Sequence, residues 1–134
     1  MIGLDTNVLV RYLAQDDVTQ SAVATRLIER ELSAAQPGFI SLVVLTELGW
    51  VLKRLYGASE AELLDTVADL LASPQFQVEN RAVVQAAVQH MRGLKTKVGW
   101  TDLLIAQIAL AQGCSHTVSF DKTAVRSASM KLLG

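Results

Sequence analysis

The chain has 134 residues, about half of them apolar, and a formal net charge of −1. This length fits one domain with a real core, and no apolar run reaches the roughly 18 to 20 residues that a membrane span needs. A single cysteine excludes an internal disulfide and, with only two histidines, a structural zinc site. We therefore expect a cytoplasmic protein without a membrane-spanning segment.

The charge is unevenly distributed along the chain. Residues 1–79 carry 5 Lys and Arg against 11 Asp and Glu, a balance of −6. Residues 80–134 carry 7 Lys and Arg against 2 Asp, a balance of +5. This asymmetry permits a basic face toward an anionic partner, and scattered solvated charge is an equal alternative.

Short apolar segments alternate with segments of helical period. Strands are predicted at Ile2–Leu4, Gly38–Ser41, Gln75–Val78, His116–Ser119 and Met130–Leu133. Helices are predicted at Asn7–Ala14, Val18–Leu32, Leu42–Tyr56, Glu60–Ala72 and Thr101–Gln112, with one from Asn80 to about Arg92 and a short one after Asp121. This alternation predicts an α/β fold, with a single domain over residues 1–134 and a short central parallel sheet covered by helices on both faces.

Two acidic residues follow predicted strands, where ligands bind in parallel sheets. Asp5 follows the first strand and Asp121 follows the fourth. The carboxyl ends of parallel strands are the usual place for a ligand. For each residue taken alone, the alternative is a helix cap, in which the carboxylate accepts a backbone N–H.

Two further acids interrupt apolar helices. Glu47 is predicted to project from an inward stripe of Val44, Leu48, Val51 and Leu55. The alternatives are a buried ion pair with Lys or Arg, or a carboxylate that reaches the edge of the stripe. Asp102 is predicted to point inward from a largely buried helix. Thr101 is the predicted cap of that helix, and an acid in its first turn also suits the helix dipole.

The four acids together favour a metal site over four separate structural roles. Four carboxylates at one end of a sheet would repel one another, and a hard divalent cation would remove that repulsion. Oxygen ligands suit Mg²⁺ and also Mn²⁺. Such a site can activate a water and neutralise charge on a phosphodiester.

Four stretches of the sequence carry a family resemblance: "GLDTNVLVRYL", "SLVVLTELGWVL", "WTDLLIAQIALAQGC" and "TVSFDK". In their order and spacing they resemble the PIN domain, and more closely the VapC toxins of bacterial VapBC toxin–antitoxin pairs. The resemblance covers essentially the whole chain. It implies a metal-dependent endoribonuclease that hydrolyses RNA with a metal-activated water.

The resemblance also implies roles for individual residues and a set of partners. Asp5, Glu47, Asp102 and Asp121 correspond to the family's four metal-binding and catalytic acids, with Mg²⁺ or Mn²⁺ as cofactor. Supporting positions are Thr6, Asn7 and Ser119, and the residues expected to meet RNA are Lys95, Lys97, Lys122 and Arg126. The implied partners are an RNA substrate, a VapB-type antitoxin and a second copy of the chain.

Two other functions remain open from the sequence. One is a non-catalytic module of the same fold that uses its acids to grip a protein or RNA partner. The other is a phosphatase or phosphoacceptor domain, which fits less well because Asn7 stands where a second acid is wanted. Trp50 and Trp100 are predicted to pack in the core or an interface, and Cys114 is predicted to be buried.

Overall fold

A computed structural model describes residues 1–93, 99–127 and 130–134. The chain divides into two compact units, Met1–Arg81 and Ala82–Gly134. Each unit has its own parallel strands and its own buried apolar side chains, so each is described by itself.

The first unit alternates strands with helices. Its strands are β1 (Ile2–Gly3), β2 (Gly38–Ile40) and β3 (Phe76–Val78). Its helices are α1 (Thr6–Ala14), α2 (Val18–Arg26), α3 (Leu42–Tyr56) and α4 (Glu60–Ala72), and a π-helical turn, Leu27–Glu31, extends α2. The strands pair in parallel in the order β1-β2-β3, with Gly38 opposite both Ile2 and Phe76.

The second unit contains two further parallel strands, β4 (Thr117–Ser119) and β5 (Met130–Leu132). Its helices are α6 (Trp100–Ala111) and α7 (Lys122–Ser127), preceded by α5 (Arg81–Arg92), which begins at the boundary between the units. The described chain thus has the mixed α/β composition and the parallel pairing that the sequence predicts.

Buried aliphatic side chains form the core of each unit. In the first unit, Leu9, Ile28, Ile40, Leu45 and Leu48 are fully buried. In the second, Val84, Leu103 and Leu104 are at most 1% exposed. Among the described residues, no helix is both long and apolar enough to cross a membrane.

Local sequence signals place most helix ends correctly. Helices α3 and α4 have the predicted bounds: Gly57 ends α3 with a left-handed φ of 64°, and Ser59 with Glu62 forms a capping box at the start of α4. The predicted helix Val18–Leu32 is wrong in its last turn, because regular α-helix ends at Arg26. Thr101 is not a cap, because α6 begins at Trp100 after Gly99.

Candidate functional site

Asp5 lies just beyond β1 and forms the N-cap of α1. Its side chain is exposed, and Oδ1 accepts a hydrogen bond from the backbone N–H of Thr6 at 2.8 Å. The other carboxylate oxygen, Oδ2, has no hydrogen-bond donor among the described residues. Asp5 therefore combines the cap role with one open oxygen, so the two interpretations of this residue are compatible.

Thr6, beside Asp5, carries a buried hydroxyl without a partner. The residue is 3% exposed, and in the described part of the chain its Oγ1 makes no hydrogen bond. A buried hydroxyl normally finds a partner, because leaving it unpaired costs about 1–3 kcal/mol. An orphaned oxygen next to a strand-end carboxylate is what a site for a bound water or ion would contain.

Glu47 lies in the second turn of α3, and its predicted inward orientation is wrong. Its side chain is exposed. The buried face of α3 is formed by Leu45, Leu48, Gly49 and Leu52, whereas Leu55, a predicted core residue, is 71% exposed. Glu47 therefore needs no buried partner and can meet a ligand from solvent.

The N-terminus of α3 is held from two strand ends. Ser41, after β2, accepts from the backbone N–H of Val44 at 3.1 Å. Glu79, after β3, accepts from the backbone N–H of Leu42 at 2.9 Å. Sequence reasoning missed Glu79, although an acid directly after a strand of a parallel sheet is the same signal that identified Asp5 and Asp121.

Asp121 caps the first turn of α7 in the second unit. Its Oδ1 accepts backbone N–H bonds from Thr123 at 2.8 Å and from Ala124 at 3.5 Å. The backbone N–H of Asp121 in turn donates to Oγ of Ser119 at 3.0 Å. Ser119 therefore fixes the turn that carries the carboxylate, and no donor within the described part of the chain meets Oδ2 of Asp121.

Asp102 lies in the first turn of α6 and is half-buried. A Cβ on Gly99 would lie 3.3 Å from Oδ2 of Asp102, so the carboxylate folds back over the start of its own helix. Among the described residues no side chain caps that helix start, and its positive dipole end favours a carboxylate there. The predicted inward orientation is correct only in part, since Ile105 on the same face is 47% exposed.

Each unit carries two of the four predicted acids. Asp5 and Glu47 belong to the first unit, and Asp102 and Asp121 belong to the second. In neither unit do three or more metal-ligating side chains come together among residues 1–93, 99–127 and 130–134. Every one of the four carboxylates keeps at least one oxygen without a donor in those ranges, and such oxygens are the donors that Mg²⁺ and Mn²⁺ prefer. Carboxylate oxygens of this kind would suit a hard divalent cation, and each unit supplies two of the four carboxylates.

Asn7 and part of the basic residues predicted to meet RNA lie among the described residues. Asn7 is exposed and lines a groove of about 350 Å³ between α1 and α2. Lys122 is exposed, whereas Lys95, Lys97 and the Arg126 side chain lie outside the described residues.

The predictions for the aromatic and thiol side chains are partly wrong. Trp100 is 2% exposed, as predicted for a core residue. Trp50 is 56% exposed and lies outside the core, so for this residue only the interface part of the prediction stays open. Cys114 is exposed, because it follows the end of α6 instead of packing beneath it.

A comparison with known families gives the class of protein. The PIN domain model matches residues 2–128, which span both units, and the chain belongs to the PIN domain family. PIN domains are generally metal-dependent nucleases that act on nucleic acids. No curated protein matches the chain closely enough to add a relative.

Proposed function

We propose that this PIN domain protein is a Mg²⁺- or Mn²⁺-dependent endoribonuclease and the VapC-type toxin of a type II toxin–antitoxin pair. The observation that carries the proposal is the family match over residues 2–128, a range that contains Asp5, Glu47, Asp102 and Asp121. On this proposal, residues 1–134 form one PIN domain that works as a homodimer and is inhibited by a VapB-type antitoxin.

The four acids have separate roles in the proposed site. Asp5 and Asp102 hold the metal with the help of Asp121, and Glu47 binds a second metal or orients the attacking water. The open oxygen of Asp5, the helix-start position of Asp102 and the exposure of Glu47 support these roles. When bound, the cation supplies a nucleophilic water and neutralises charge on the phosphodiester.

Neighbouring residues hold this machinery in position. The two backbone N–H groups that bind Oδ1 of Asp121 restrict its rotation, so Oδ2 has a defined direction. Ser119 fixes the turn that carries Asp121. The unpaired hydroxyl of Thr6 accepts from or donates to a water held beside Asp5.

Basic residues of the C-terminal part of the chain meet the RNA backbone. Residues 80–134 contain only two acids, and both belong to the proposed metal site. The surrounding excess of Lys and Arg attracts phosphates, and binding through such contacts weakens as the salt concentration rises. Lys122, exposed and adjacent to Asp121, is the described residue best placed for such a contact.

Cleavage of total RNA tests the proposal. We expect discrete fragments with Mg²⁺ or Mn²⁺, no fragments in EDTA, and loss of cleavage in Asp5→Asn and Asp102→Asn. The matched control is Asp69→Asn, an exposed acid of α4 outside the proposed site, which should cleave like the wild type. Wild-type rates in folded Asp5→Asn and Asp102→Asn would refute the assignment, and absence of cleavage by metal-loaded, antitoxin-free protein would favour the non-catalytic binding module.

A further inference from the structure

One face of α3 is exposed and combines apolar and charged side chains. Val43, Glu47, Trp50 and Arg54 follow one another at intervals of four, three and four residues, so they form one stripe along the helix. Val43 is 75% exposed and Trp50 is 56% exposed. The opposite face holds the helix in the core, so this stripe is available to a ligand.

Trp50 and Arg54 form a contact pair on this stripe. The guanidinium carbon of Arg54 lies 4.8 Å from the centre of the Trp50 ring. Within the described part of the chain, Arg54 makes no salt bridge, so its charge is uncompensated. The guanidinium lies over one face of the ring, so the contact limits rotation of the indole and a stacked group would use the opposite face.

The position of Trp50 connects it to the proposed active site. It lies three residues after Glu47 on the same stripe, which corresponds to a rise of about 4.5 Å along the helix axis. A ligand group on the indole would therefore be next to the group that Glu47 acts on.

We propose that Trp50 is a stacking platform for an unpaired base of the RNA substrate, with Arg54 meeting the adjoining phosphate. The inference rests on the proposed function, because it takes the nuclease's RNA as the ligand. An aromatic ring and a free cation together match a nucleotide, which offers a π-face and a negative charge. An apolar protein surface would instead bury the uncompensated charge of Arg54, which is unfavourable.

Binding measured in EDTA tests this proposal without cleavage. The probes are a fluorescently labelled ten-residue oligoadenylate and an abasic backbone of the same length, followed by fluorescence anisotropy. Trp50→Ala should weaken oligoadenylate binding about 5- to 150-fold, the range for loss of one stacked base. Trp50→Phe, which keeps an aromatic ring, should retain most of the affinity, and the abasic backbone should bind wild type and Trp50→Ala equally.

Two controls separate stacking from other effects. Leu55→Ala removes an exposed apolar side chain from another side of α3 and should bind oligoadenylate like the wild type. Intrinsic fluorescence provides a second measurement, because Trp50 is exposed whereas Trp100 is 2% exposed. Oligoadenylate should quench wild-type emission, and the quenching should disappear in Trp50→Phe.

The outcomes distinguish this inference from the proposed function. Unchanged oligoadenylate affinity in Trp50→Ala would overturn the stacking role, even if the wild type cleaves RNA. If Trp50→Ala keeps the oligoadenylate affinity but converts a dimer to a monomer, the stripe is a protein interface and the stacking role is again overturned. Trp50-dependent binding by a protein that cleaves no RNA with any metal would support stacking and count against the nuclease.

Discussion

Glu79, the residue after β3, accepts a hydrogen bond from the backbone N–H of Leu42, the first residue of α3, at 2.9 Å. The backbone N–H of Glu79 donates to the carbonyl of Ile40 at 2.8 Å, so the same residue is also bound to β2. The sheet thus holds the start of the helix that carries Glu47, and the position of Glu47 depends on a residue far away in sequence.

Replacing Glu79 should affect both stability and the proposed activity. Glu79→Ala removes a cap of α3, which should lower the free energy of unfolding by about 0.5–2 kcal/mol. RNA cleavage should also fall, because the first turns of α3 would fray. Urea unfolding and cleavage rates measure the two effects. Glu79→Gln keeps an acceptor oxygen and should stay near wild type in both; an equal loss in Glu79→Gln would show that the charge itself is needed.

Thr6→Val should make the protein more stable and less active. The substitution removes a buried, unpaired hydroxyl with little change of shape, so the free energy of unfolding should rise by about 1–2 kcal/mol. Metal-dependent cleavage should fall if that hydroxyl orients water beside Asp5. Ser21→Ala is the matched control, since Ser21 is also 3% exposed with an unpaired Oγ and lies on α2. Equal cleavage by Thr6→Val and wild type would remove Thr6 from the site.

Gly38→Ala should destabilise the first unit. A Cβ at Gly38 would lie 2.7 Å from Cδ1 of Leu4 and 2.8 Å from Cδ1 of Leu32. Forcing those side chains apart should lower the free energy of unfolding by about 1–3 kcal/mol. Gly3→Ala, on the neighbouring strand, meets nothing within 4 Å and should change it by less than about 0.5 kcal/mol. Urea unfolding of both variants measures this difference. Similar free energies of unfolding for Gly38→Ala and Gly3→Ala would contradict the prediction.

The hydrogen bond between Tyr56 and Asp16 should make the free energy of unfolding depend on pH in the acidic range. The hydroxyl of Tyr56 donates to Oδ2 of Asp16 at 2.6 Å, and this bond, with a smaller contribution from Arg11, lowers the pKa of Asp16. Because the folded-state pKa lies below the unfolded one, the stabilisation is present above about pH 4 and is lost as the pH falls through the folded-state value. Tyr56→Phe should raise the pKa of Asp16 in an NMR titration and weaken this dependence. An unchanged pKa in Tyr56→Phe would contradict the assigned cause.

Most element positions could be predicted because their signals are local. Gly57 and the pair Ser59 and Glu62 determine the ends of α3 and α4 within a few residues of sequence. The exposure of Glu47 could not be predicted in the same way. Two apolar stripes overlap on α3 and share Leu48. In the folded unit the stripe that also contains Leu45 and Leu52 is buried, instead of the predicted stripe with Val44 and Val51.

The proposed site depends on both local signals and family likeness. Strand-end positions identified Asp5 and Asp121, and the structure adds their caps and their open oxygens. The contact of Glu79 with α3 joins segments 37 residues apart, so periodicity within either segment cannot reveal it. The joint metal-binding role of the four acids is inferred from their shared pattern and from the family resemblance, and it stays a prediction.

Cys114 gives this protein a defined point of attachment. It is the chain's single cysteine, and its side chain is exposed beyond the C-terminal end of α6. Asp102 lies in the first turn of the same helix, so about 14 Å of helix separates it from the end of α6 that precedes the thiol. A maleimide linker would therefore tether every molecule through the same atom, without any substitution. RNA and metal titrations on a sensor surface could use the native chain with the carboxylate end of α6 directed away from the support.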